Sequence, residues 1–122
     1  MPGNCNSETT DGGRGRNIMD IEKIRWYCTA NKLRWTQHIF RRLIQRGISM
    51  SDVRNCVMTG EIIESYPDDY PDSSCLILGL SEEKKGMHIV CGIHEEELWL
   101  ITAYYPDPEK WSDDFRMRKE GI

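Results

Sequence analysis

The stretch HIFRRLIQRGIS, His38 to Ser49, places one histidine and three arginines on what reads as a single amphipathic helix. His38, Arg42 and Arg46 recur at every fourth position and form one stripe, while Ile39, Phe40, Leu43 and Ile44 are assigned to the core-facing side. No carboxylate within the helix partners this stripe. Guanidinium groups fork onto phosphate oxygens, and imidazole exchanges protons near neutral pH. The stripe is therefore either a solvated polar face or an anion site.

Further reactive side chains fall in the second half of the chain. In MHIVCGI, alternation puts His88 and Val90 on one face; in LWLITAYY it groups Leu98, Leu100, Thr102 and Tyr104, with Trp99, Ile101, Ala103 and Tyr105 opposite. His88 meets Tyr104 only if the strand register brings them together. GEIIESYPDDYP holds Glu61, Glu64, Tyr66, Asp68 and Asp69, which read as solvation and turn-making rather than as a metal site. Cys91 and His94 point to opposite faces of a strand, so no zinc is assigned to them. The chain has no GxGxxG, GxxxxGK followed by Ser or Thr, HExxH or GxSxG, which removes the dinucleotide fold, P-loop, zinc-protease and nucleophile-elbow classes.

The elements that must position these groups change character at Gly60. At 122 residues the chain supports one core. The first 18 residues, rich in Gly, Asn, Ser and Thr, read as a disordered tail, and Met19 as the start of the ordered domain, 19–122. A helix is expected from Asp20 to Asn31, a second capped by Thr36 and ended by Gly47, and a short third opened by Ser49 or Ser51 and closed by Gly60. EIIESY, CLILGL, MHIVCGI and LWLITAYY then read as four strands of an antiparallel meander. Trp111 and Phe115, four residues apart, suggest a short C-terminal helix. The class is α+β, with helices on one face of a four-stranded sheet.

Charge and cysteines bound the function further. A net charge of −4 excludes coating of duplex nucleic acid through bulk positive charge. Charge is nonetheless segregated: six basic residues against Asp52 alone between Lys32 and Arg54, then ten acids against Lys84 and Lys85 between Glu61 and Glu97. Five cysteines without CxxC spacing suit buried thiols in a reducing compartment. With no signal-peptide core and no apolar run of membrane-spanning length, a cytoplasmic location is expected.

The succession HIFRRLIQRGIS, GEIIESYP, CLILG, HIV and LWLITAYYPDPEKW…DFRMRK, covering roughly Leu33 to Lys119, resembles the bacterial domain-of-unknown-function 4258 family. That family looks like a branch of the RelE-like toxins of type II toxin–antitoxin systems. The resemblance implies a RelE-like fold and metal-independent endoribonuclease activity, in which a 2′-hydroxyl attacks the adjacent phosphate, with no cofactor. It also implies RNA, on or off the ribosome, and a zinc-finger-type antitoxin as partners, and no membrane. The reaction needs a base, cations for the phosphorane and a donor for the leaving oxygen. His38, Arg42, His88 and Tyr104 are the catalytic candidates, and Arg46, Tyr66 and Arg118 the RNA-binding ones. The competing expectation is a non-catalytic module of the same fold that docks a protein or nucleic acid through its basic helix.

Overall fold

The computed structural model describes residues 19–69 and 72–119, so the expected N-terminal tail lies outside the described residues. Three helices come first: α1 (Ile21–Thr29), α2 (Gln37–Arg46) and α3 (Met50–Thr59). Each begins where the sequence supplies an oxygen for unpaired backbone N–H groups. The Asp20 side chain accepts from Glu22, Thr36 accepts from Ile39, and Ser49 forms a reciprocal capping box with Asp52. Helix α2 stops at Gly47, whose φ of 65° lies in the left-handed region that a side chain disfavours.

Between α1 and α2 lies β1 (Leu33–Trp35), followed after α3 by β2 (Glu61–Tyr66), β3 (Ser74–Leu80), β4 (Gly86–His94) and β5 (Glu97–Tyr104). The sheet order is β1-β5-β4-β3-β2. The last four strands form the expected antiparallel meander, but β1 adds a fifth strand, paired parallel to β5. A strand of three residues is too short to show alternation, so β1 is absent from the four strands expected from the sequence. Asn31, at φ 59°, turns the chain out of α1, and the Lys32 carbonyl then accepts from the Leu98 amide at 2.8 Å.

All three helices cover the same side of the sheet. Ile24, Ile39, Leu43, Val53, Cys56 and Val57 close over Cys75, Ile77, Ile89, Cys91, Leu98, Leu100 and Ala103 in one continuous core. Cys28, Cys56, Cys75 and Cys91 are buried free thiols, and the Sγ atoms of Cys75 and Cys91 are 4.0 Å apart across β3 and β4. Helix α2 departs from the assigned core stripe: Phe40 and Ile44 are exposed, Ile44 by 83%, with Phe40 stacked on Trp35 instead.

Two irregularities decide what the opposite, outer face carries. Val90 pairs with Thr102 but Cys91 with Leu100, so Ile101 is an extra residue in β5. Leu98 and Leu100 therefore face the core with Ala103, while Thr102 and Tyr104 face outward, which corrects the strict alternation read from the sequence. A second shift, between Ile62 and Glu64, puts both Glu61 and Glu64 on that outer side, opposite Leu78 and Leu76.

A strap from Pro106 to Lys119 crosses the outer face. The expected C-terminal helix is absent; the segment makes one turn after Asp107 and then folds back so that Trp111 bridges to Arg118. The Ser112 and Asp114 side chains accept from the amides of Met117 and Arg116, giving the backbone an alternative to helical bonds. Trp111 is buried, Arg116 pairs with Glu61, and Arg118 pairs with Glu64. Burial of an indole outweighs surface ion pairs by a wide margin. Trp111→Ala is expected to destabilise the fold by about 3 kcal/mol, and Arg116→Ala by less than about 1 kcal/mol because its pair is half in water; chemical denaturation measures both.

Candidate functional site

The outer face holds the one pairing that the sequence left open. His88 sits directly across from Tyr104 in the β4–β5 register. The imidazole is fully buried, and both ring nitrogens are engaged. Nε2 lies 2.9 Å from the Phe115 carbonyl oxygen, which can only accept, so Nε2 carries the proton. Nδ1 is then the acceptor for the Tyr104 hydroxyl at 3.3 Å. Phe115 holds its carbonyl in place from a left-handed conformation, φ 63°, that bulky residues rarely adopt.

Aromatic rings enclose the imidazole. Trp111 stands edge-on to it with centroids 4.4 Å apart, and Tyr104 edge-on at 5.3 Å. Burial lowers the affinity of His88 for a second proton, offset in part by its bond to the Phe115 carbonyl and by the negative charge of Glu64. The Tyr104 phenol is likewise pushed up by burial and stays protonated at neutral pH.

Tyr104 is also the floor of an open groove. Arg46, Tyr104, Tyr105, Asp107, Lys110, Trp111 and Arg118 line a volume of about 580 Å³. Arg46 reaches it from the end of α2: its Nη1 donates to the Ala103 carbonyl at 2.8 Å, and the guanidinium lies 6.0 Å from the Tyr104 ring centroid. On the opposite side Arg118 covers Trp111 at 4.7 Å and donates from Nε and Nη2 to the two Glu64 oxygens, at 2.9 and 3.1 Å. That bidentate pair holds the Glu64 carboxyl below its usual range. Tyr66 donates to the same carboxylate at 2.6 Å, and burial with this bond raises its phenol to about 12.

Five of the seven expected residues thus fall in one connected region: His88, Tyr104, Arg46, Tyr66 and Arg118. His38 and Arg42 stand apart. A helix turns about 100° per residue, so a stripe at every fourth position drifts by about 80° between His38 and Arg46. Arg46 consequently swings to the edge of the Ile39–Leu43 core stripe and meets β5, whereas His38 is exposed and Arg42 donates to Gln45 on its own helix at 3.0 Å. About 12 Å of helical rise separates His38 from Arg46. Lys110, Tyr105 and Trp111 were not among the expected site residues; only the docking of Trp111 was legible, from its spacing to Phe115.

The model for the domain of unknown function DUF4258 matches residues 35–105, more than half of the chain. The chain belongs to the DUF4258 family. The DUF4258 stretch contains α2, the whole meander, and both members of the His88–Tyr104 pair, while the strap that covers them lies beyond it. No curated protein matches the chain, and no solved structure does. Among the described residues no helix is long and apolar enough to cross a membrane.

The buried imidazole carries a pH signature whose sign follows from its environment. In the unfolded chain His88 takes up a proton near the usual value of about 6.5, but in the folded state burial lowers that affinity. Stability linked to His88 is complete above about pH 6.5 and is lost as pH falls from there towards the lowered folded value. His88→Gln retains a side-chain donor, and its melting temperature is expected to fall less steeply than that of the wild type between about pH 7 and pH 5. Identical slopes would show that His88 titrates alike in both states.

Proposed function

We propose that the protein is an RNA-binding domain of RelE-like character, whose groove beside Tyr104 takes a phosphate of a single-stranded RNA. The observation that supports this is the grouping of Arg46, Lys110 and Arg118 with Tyr104, Tyr105 and Trp111 around one open groove. Single-stranded RNA is recognised by cations that follow its backbone and by aromatic rings on which unstacked bases lie. Arg46 is bonded to a neutral carbonyl, so its charge remains for an anion, whereas that of Arg118 is already offset by Glu64. A focused patch of this kind reconciles RNA binding with a chain of net charge −4.

Endoribonuclease activity is the narrower form of this reading, and it rests on the Tyr104–His88 hydrogen bond. With Trp111 above it and Phe115 at Nε2, His88 has no path to substrate; Tyr104 is the group that would touch RNA. In this scheme the 2′-hydroxyl proton passes to the Tyr104 oxygen as the phenolic proton moves to His88 Nδ1, the 2′-oxygen bonds to phosphorus as the P–O5′ bond breaks, solvent water protonates the leaving 5′-oxygen, and Arg46 neutralises the charge developing on the phosphate. Forming a buried imidazolium works against the lowered proton affinity of His88, and Glu64 offsets only part of that cost. That opposition favours the non-catalytic docking module as the second reading of the same groove. A toxin-like enzyme would also need an antitoxin partner of the zinc-finger type to restrain it.

The two forms separate experimentally. Fluorescence anisotropy with a labelled single-stranded RNA is expected to show binding that weakens at least about tenfold in Arg46→Ala and weakens further with salt. Tyr104→Phe should bind RNA nearly as well as the wild type. If the protein cleaves RNA, mapping of RNA 5′ ends on expression of the wild type will show new ends that Tyr104→Phe abolishes. Undiminished binding by Arg46→Ala would contradict the groove, and an absence of new ends would leave the docking module alone.

A further inference from the structure

The two arginines that line the groove are held in different ways. Arg46 donates to a neutral oxygen, the Ala103 carbonyl, at 2.8 Å. Arg118 donates from Nε and Nη2 to the two oxygens of Glu64, a forked arrangement that the oxygens of a phosphate match equally well. Among the described residues, Arg118 is the one groove cation paired with a carboxylate. Asp107 also lines the groove, but its Oδ1 accepts from the Glu109 amide at 2.9 Å and serves the turn of the strap. Glu64 is therefore the group with which an incoming anion competes for Arg118.

The surroundings of the pair allow it to open at small cost. The Arg118 side chain is 62% exposed and that of Glu64 24%, so water screens the attraction between them. Glu64 is not left without a donor when Arg118 departs, because the Tyr66 hydroxyl donates to it at 2.6 Å. The Arg118 guanidinium also rests over the Trp111 ring, 4.7 Å from its centroid, a contact that does not depend on Glu64. The strap has other anchors: Trp111 is buried, and Arg116 pairs with Glu61.

We infer that Glu64 is a built-in competitor for the anion of the groove, and that a phosphate binds by taking Arg118 from it. In the free groove Arg46 is the arginine ready for an anion; in the occupied groove Arg118, still on the face of Trp111, turns its donors from Glu64 to the phosphate. The inference rests on the phosphate-binding reading of the groove and adds its regulation. Every phosphate that enters must first open the Glu64–Arg118 pair, so removing the carboxylate strengthens binding. Loss of a merely structural ion pair would weaken it or leave it unchanged.

The test uses the full chain and two probes: a labelled single-stranded RNA followed by anisotropy, and inorganic phosphate followed by NMR. Glu64→Gln, which keeps an oxygen for the Tyr66 hydroxyl, is expected to bind both about fivefold more tightly than the wild type. Glu61→Gln removes the same charge from the same strand and should change affinity by less than about twofold. In an Arg118→Ala background the gain from Glu64→Gln should likewise shrink below about twofold. In the wild type the Arg118 Nε–H resonance should move as phosphate is added. Unchanged or weaker binding by a folded Glu64→Gln protein, an equal gain in Glu61→Gln, or a gain that persists without Arg118 would each overturn the competition. Phosphate binding that follows the expected pattern without RNA binding would remove RNA as the ligand and keep the competition; RNA binding that Glu64→Gln leaves unchanged would do the reverse. Failure of both probes to bind either the wild type or Glu64→Gln would overturn both readings.

Discussion

One hydrogen bond, from His88 Nε2–H to the Phe115 carbonyl, ties the outer face together. A fully buried imidazole must have both nitrogens satisfied, because an unmade hydrogen bond in a dry site costs roughly 1–3 kcal/mol. The strap supplies one partner and Tyr104 the other, so docking of the strap and orientation of Tyr104 are a single event. Trp111 then closes over the ring, and the Arg118–Glu64 pair holds the strap's return segment. The groove exists because these contacts coincide: its aromatic floor comes from the sheet, its far wall from the strap, and its nearest cation from the end of α2.

Two one-residue irregularities make this possible. Without the extra Ile101, the face that carries Leu98 and Leu100 would also carry Tyr104, and the phenol would point into the helix-covered core. Without the shift at Ile63, Glu61 and Glu64 could not both face the strap arginines. Bulges re-aim side chains at modest cost, and here both re-aim them towards the same surface. The sheet is thus a two-sided element: one side is buried by apolar helices, and the other carries polar contacts and an open groove.

Much of the skeleton was legible in the sequence because it is encoded locally. Asp20, Thr36 and Ser49 announce helix starts, Gly47 an end, and the four apolar runs the strands. What was not legible depends on tertiary registration. The partnering of His88 with Tyr104, the bulge at Ile101 and the parallel pairing of Leu33–Trp35 are set by neighbours far away in the chain. The strap failed as a helix because Ser112 and Asp114 satisfy its amides in a turn. The basic stripe was misjudged in a simpler way, since i, i+4 and i+8 positions spiral around a helix and only Arg46 arrives at the sheet.

The central claim is that RNA engages the outer face of the sheet and not the helical side. The four tryptophans report on both: Trp99 and Trp111 lie on the outer face, while Trp26 on α1 and Trp35 beside Phe40 lie on the helical side. The most direct measurement is therefore an NMR titration of the four indole N–H resonances with a short single-stranded RNA. The Trp111 resonance is expected to move while those of Trp26 and Trp35 stay in place. Movement of Trp26 and Trp35 with Trp111 unaffected would contradict it.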